Sequence, residues 1–150
     1  MTTPLTFTGR TAHADLPFLF AGQAQKEASV NEALARIDAL LSPSVEGEAS
    51  MPPADPADGE GWIVGPSAQG LWDGRDTQLA FHAAGTWLFA VPREGQRVFD
   101  RSSGCLRVWR DGWLALVLPP APEGGALVDT EARAALAALV EGLRSTGWGS

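Results

Sequence analysis

The stretch from Trp62 to Leu118 constrains the fold most, because turn dipeptides cut every apolar run in it before a helix could form. Five of the chain's six tryptophans fall here with Phe81, Phe89 and Phe99, separated by Asp73-Gly74, Ala84-Gly85, Pro92 to Gly95, Arg101 to Gly104 and Asp111-Gly112. Short aromatic and β-branched runs between turn signals build strands. Strands are expected near 62–64, 70–72, 78–82, 86–91, 97–100, 105–110 and 113–118, forming a small antiparallel meander or barrel-like sheet. Asp111-Gly112 carries the strongest turn signal, since a two-residue type I′ turn needs positive φ at both central positions. Phe81 to Trp87 and Leu106 to Trp113 echo each other, each with an aromatic before a glycine turn and a tryptophan just after it.

The flanks read differently. Residues 1–15, with five threonines around Pro4 and Gly9, have too few large apolar groups to hold themselves and suggest an extended arm that packs on something else, such as another subunit. Residues 16–41 form a helical segment: Val30, Leu34, Ile37 and Leu41 recur at spacings of four, three and four, Ala33 and Leu40 widen the stripe, and Glu32, Arg36 and Asp38 lie off it. Ser29 and Glu32 have capping-box spacing, which places the secure helix at about 30–41. Residues 18–27 fit either a preceding helical turn or a structured loop. Residues 42–61, rich in proline, read as a stiffened linker. After a second proline-rich stretch, residues 119–150 close with a helix. Asp129 or Thr130 can cap it, Glu131 and Arg144 suit its dipole, and Ala132, Leu136, Leu139, Val140 and Leu143 form its stripe. The fold class is α+β: arm and helix, linker, sheet domain at 62–118, C-terminal helix. Each helical stripe needs a cover, whether the sheet, the other helix or a neighbouring chain.

Charge and composition narrow the partners. At 150 residues and 45% hydrophobic content the chain can bury a core. Its net charge of −7 divides as −6 over residues 1–61, +1 over 62–118 and −2 over 119–150, with no basic run. Nucleic acid and anionic membranes are therefore not expected partners. The lone Cys105 excludes an intrachain disulfide and a thiolate metal cage. No apolar run is long enough to span a bilayer, and the N-terminal residues lack the basic and apolar regions of a signal peptide.

Catalytic patterns are weak. Gly65 to Gly70 imitates the opening of a phosphate loop, but Leu71-Trp72 occupy the places of the required Lys and Ser or Thr. The two histidines, His13 and His82, lie far apart in sequence, without metal spacing, and His82 beside Phe81 suits a sheet surface. Cys105 suits a small buried residue. Asp73, Asp76, Asp100 and Asp111 would be needed for an acid–base pair, yet three of them are explained by turns. Asp55 to Gly59 lacks calcium-loop spacing. No cofactor, metal or catalytic residue is expected. The tryptophans carry more: Trp72, Trp87, Trp109 and Trp113 on one sheet face would stack sugar rings, against the simpler reading that they fill a small core.

The run Leu16-Pro-Phe-Leu-Phe-Ala-Gly-Gln-Ala-Gln-Lys-Glu-Ala-Ser-Val-Asn-Glu-Ala-Leu-Ala-Arg-Ile-Asp-Ala-Leu40 resembles the signature of a domain of unknown function found in bacterial prophages and gene transfer agents, the phage-derived particles that package host DNA. The resemblance continues through Pro52 to Gly59, Trp62-Ile63-Val64, Trp72-Asp73-Gly74, Gly85-Thr86-Trp87 and Pro92 to Gly95, covering about 16–115. The C-terminal helix is similar to a closing helix of phage spike and fibre proteins. Ala28 and Phe18 depart from the His or Thr and the Tyr often seen there. The resemblance implies a non-enzymatic virion structural protein, a head-spike base or adaptor that mounts a receptor-binding fibre, assembled in the bacterial cytoplasm and carried on the particle surface. Its partners would be itself, with a pentamer favoured over a trimer, the capsid vertex proteins and the spike fibre. Phe18, Phe20, Val30, Leu34, Ile37, Leu41, Leu136, Leu139 and Leu143 are the candidate interface residues. The alternative is a module that binds host capsular polysaccharide through its tryptophans. The sharpness of the Gln23 to Glu27 run suggests loop-locking hydrogen bonds or a site.

Overall fold

The turn-punctuated stretch does form strands, but they divide between two open sheets, and no barrel closes. A computed structural model describes residues 9–19, 27–120 and 129–149. Helix α1 spans Glu27–Leu41 and is followed by β1 (Ser44–Val45), β2 (Glu48–Ala49), β3 (Gly61–Val64), a 3-10 turn at Gly70–Trp72, β4 (Leu79–Ala83), β5 (Thr86–Ala90), β6 (Arg97–Asp100), β7 (Cys105–Trp109), β8 (Trp113–Ala115) and α2 (Thr130–Ser145). One sheet has the order β2-β3-β4-β5 and the other β1-β6-β7-β8. Both are mixed, because β2 runs parallel to β3 and β1 parallel to β6. The class is α+β, as the sequence indicates, with helices flanking a small sheet region.

The expected linker is where the two sheets are joined. The Phe99 and Arg101 amides donate to the Pro43 and Val45 carbonyls, while the Glu46 amide donates to Gly61 and Ile63 donates back to Gly47. Residues 43–49 are therefore bonded to one sheet and then, two residues later, to the other. Val45 is fully buried at this seam. Gly47, with φ of +152°, makes the crossing, and a Cβ there would meet Ser102 Oγ at 3.1 Å. Proline content hides these strands from pattern reading, since all the prolines from Pro52 to Pro56 lie beyond them.

The core has two parts. Ala39, Val45, Ile63, Leu79, Phe81 and Val98 fill the space between α1 and the sheets, with Trp113 packed against them. On the other face of the β2–β5 sheet, Val64, Ala68, Trp72 and Ala80 pack with Trp62, Trp87 and Phe89. Polar contacts lace the halves together. Asp100, fully buried in β6, accepts from the Ser102 amide and hydroxyl and pairs with Arg107 at 2.6 Å. Arg107 also reaches Glu48 of the other sheet at 3.1 Å.

Three local expectations are corrected. The helix already includes Glu27, so Ser29 sits inside it and does not cap it; Glu32 turns instead to Arg36 at 2.8 Å. Gly70–Trp72 is a 3-10 turn, not a strand. The two-residue hairpin with positive φ at both positions is Ala84-Gly85 (φ +50° and +72°), whereas Arg110-Asp111-Gly112 is a three-residue loop with positive φ only at Asp111. The helix cap of α2 is Asp129, whose carboxylate accepts from the Ala132 amide at 2.9 Å. Among the described residues, no helix is long and apolar enough to cross a membrane.

Candidate functional site

Helix α1 buries a face that hydropathy does not predict. Its buried residues are Asn31, Ala35, Asp38 and Ala39. Alanines at 35 and 39 let the helix approach the sheet closely, and the two polar side chains between them hold the N-terminal arm. Asn31 Oδ1 accepts from the Leu19 amide at 2.8 Å while its Nδ2 donates to the Leu19 carbonyl at 2.9 Å. Asp38 accepts from Thr11 Oγ1 at 2.8 Å and from the His13 and Ala14 amides at 3.0 and 2.6 Å, with His13 Nδ1 at 3.0 Å. Seven residues apart, Asn31 and Asp38 lie on one side of the helix and fasten an extended segment that lacks apolar weight of its own. The arm's described part thus packs on its own chain. Burial, the largest single influence, pushes the Asp38 carboxyl up, but the bonds from Ala14, Thr11 and His13 together bring it below its ordinary value.

Beside this clamp lies a cavity of about 210 Å³ between arm, α1 and the β4–β5 hairpin, with Phe18, His13, Asp38, Asp58, His82 and Leu88 in its wall. Each histidine has an aspartate at its Nδ1: Asp38 beside His13 at 3.0 Å and Asp58 beside His82 at 3.1 Å. Two imidazoles with aspartates beside them in one cavity are parts of an acid–base site, but only His13 is hydrogen-bonded to its aspartate, while His82 Nδ1 lies near Asp58 without a hydrogen bond. The wall lacks the remaining parts. Among the described residues the wall holds no serine or cysteine, and the Thr11 hydroxyl donates to Asp38. No group of three or more His, Cys, Asp or Glu among the described residues could hold a metal ion. His82 packs edge-on against Trp87, with ring centroids 5.2 Å apart.

The predicted interface residues are placed mostly outward. Of the stripe Val30, Leu34, Ile37 and Leu41, Val30, Ile37 (52%) and Leu41 (70%) are exposed while Leu34 is half-buried. On α2 no residue is buried, and Leu136 and Leu139 are 51% and 59% exposed. Leu143 is half-buried and Phe18 lies in the cavity wall. Phe20 and the Gln23 to Lys26 run lie outside the described residues.

The four-tryptophan platform does not form. Trp72 is fully buried, and its ring meets Trp87 nearly perpendicularly (87°, centroids 5.0 Å apart). Trp109 and Trp113 belong to the other sheet and also meet edge to face. Core filling accounts for Trp72, and Trp113 locks the sheets by donating from Nε1 to the Thr77 carbonyl at 2.9 Å. The half-exposed tryptophan is Trp148, beside a groove of about 350 Å³ whose wall includes Arg97, Leu106, Arg110 and Leu116. Arg97 stacks over its ring at 5.5 Å. Asp76 accepts from the Ser67 and Ala68 amides, Asp100 is committed to its serines and Arg107, and Cys105 is buried, so these polar groups are occupied structurally.

Fold and surfaces define an α+β domain in which an arm is clamped to a helix whose apolar side faces outward. Residues 30–114 match the family described as Protein of unknown function (DUF2793), and with more than half of its length matched the chain belongs to that family. No curated protein matches the chain.

Proposed function

We propose that this protein is a non-enzymatic structural component of a phage-like particle, a head-spike base or adaptor that mounts a receptor-binding fibre. The observation that carries the reading is the exposure of large apolar side chains on both helices, above all on α2, which buries none of its residues. Contiguous apolar faces of this kind mark surfaces that bind other proteins. The resemblance of residues 16–115 to prophage and gene-transfer-agent proteins supplies the particle. In this reading the chain self-assembles, meets capsid vertex proteins on one side and the fibre on the other, and travels on the particle surface.

The test is to purify particles from the encoding bacterium with and without the gene. The chain is expected to sediment with wild-type particles, and particles from the deletion strain to lack spikes in electron micrographs. Recovery of the chain only in the particle-free fraction, with deletion particles unchanged, would refute the reading.

A second reading is binding of host capsular polysaccharide, favoured by the groove beside Trp148. A Trp148 indole with Arg97 over its ring and Arg110 in the same groove wall suits an acidic sugar better than a neutral one. Titration of tryptophan fluorescence with acidic and neutral polysaccharides separates this reading from a purely structural role.

A further inference from the structure

The outward stripe of α1 has a regularity that its exposure alone does not require. Val30, Leu34, Ile37 and Leu41 follow the spacing d-a-d-a of a left-handed coiled coil, with Ala33 and Leu40 at the flanking g positions. The matching e positions are Asn31 and Asp38, which are turned to the chain's own arm and satisfied there. Glu32 and Arg36 pair with each other away from the seam. No charged side chain therefore stands in the stripe, and copies of a chain with net charge −7 can meet along it without like charges in contact. Two heptads would not hold isolated helices together. Here the helix is already folded against its sheet and fastened to the arm, so association does not carry the cost of ordering it.

The residue types also select a number. Leucine at a with β-branched Val or Ile at d favours bundles of three or four helices over two. We propose that α1 is the self-association seam, and that the outward faces of α1 from three or four copies pack as a parallel bundle about a cyclic axis. This rests on the reading of the chain as a self-assembling structural protein and deepens it, naming the self-contact and replacing the five copies of a vertex by three or four. It leaves α2 free for the next component of the particle. Ala132, Leu136, Leu139 and Leu143 of α2 repeat the same spacing, which makes α2 the right control.

The experiment is light scattering of the full chain after gel filtration, over a concentration series, for the wild type, I37E and L139E. The wild type is expected at three or four times the 15.8 kDa monomer mass. I37E should be a folded monomer with dissociation constants raised about 30-fold or more, the mark of a lost central contact, and L139E should keep the wild-type mass. A wild-type monomer or dimer, or an assembly that survives I37E, overturns the proposal. Where both glutamate variants dissociate, L41C decides: oxidation should join chains through residue 41, because Cys105 is buried, and failure to cross-link overturns the seam. An assembly broken only by L139E sinks the α1 seam and leaves the attachment-protein reading standing.

Discussion

Replacing Asp38 by alanine removes the acceptor on which four donors converge, and the expected cost follows from that geometry. Thr11 Oγ1, the His13 and Ala14 amides and His13 Nδ1 all lie within 2.6–3.0 Å of the carboxylate, which is 5% exposed. A hydrogen bond to a charged group contributes about 1.5–3 kcal/mol. The four do not add, because the arm can leave the helix and give its amides back to water. D38A should therefore cost about 2–4 kcal/mol of unfolding free energy at pH 7. The sign of the pH dependence is set as well. The folded-state carboxyl lies below its ordinary value, so its contribution is complete above about pH 4 and is lost as pH falls through the folded value. Urea unfolding at pH 7 and pH 3 should show the gap between wild type and D38A narrowing in acid. Hydrogen exchange at the His13 and Ala14 amides should accelerate in the variant. Equal urea midpoints at pH 7 with unchanged exchange at these two amides would refute the clamp.

Asp100→Ala removes the 2.6 Å partner of Arg107 and the acceptor of the Ser102 amide and hydroxyl, and, with Arg107 still paired to Glu48, should cost about 2–4 kcal/mol in urea unfolding. Burial pushes the Asp100 carboxyl up, but Ser102, Arg107 and Ser103 bring it below its ordinary value, so this contribution too should fade below about pH 4. Gly85→Ala tests the hairpin: nothing crowds a Cβ there, so the φ of +72° alone should cost about 1 kcal/mol, read as a lower thermal midpoint. Trp72→Ala empties the centre of the second core cluster and should cost about 3–5 kcal/mol, with a loss of near-ultraviolet dichroism from the tryptophan cluster.

Strands β3 to β8 were legible because their signal is local: alternating bulky residues, then a turn the backbone cannot avoid. The predicted 97–100 strand is β6 to the residue, β3, β4, β5 and β7 differ from expectation by one residue at one end or both, and β8 stops three residues short. What pattern could not show is which sheet a strand joins, since Val45 and Ala49 reveal their partners only when distant strands arrive. The type I′ turn moved from Asp111-Gly112 to Ala84-Gly85 for a related reason: strand register around the loop, not dipeptide preference, fixed the loop length. The cavity was not legible at all. His13 and His82 are brought to one wall by an arm and a hairpin far apart in sequence, and nothing near either residue marks the pairing.

α1 is the more instructive element, because the helix itself was legible while the cover of its apolar stripe was left open between the sheet, the other helix and a neighbouring chain. Hydropathy sends Val30, Leu34, Ile37 and Leu41 inward, since burying them gains most. The inward surface offered by this fold is an extended backbone segment and a closely placed sheet, and what those need is hydrogen-bond partners and small side chains. Asn31 and Asp38 meet the first need, Ala35 and Ala39 the second. Polar groups at those positions are thus explained by the arm they hold. Beside that face Leu34 is half-buried, whereas Val30, Ile37 and Leu41 remain exposed among the described residues. A monomer under no other requirement would have polar residues there, and the seam proposed above assigns the stripe to a second copy of the same helix, with which its spacing of four, three and four is compatible.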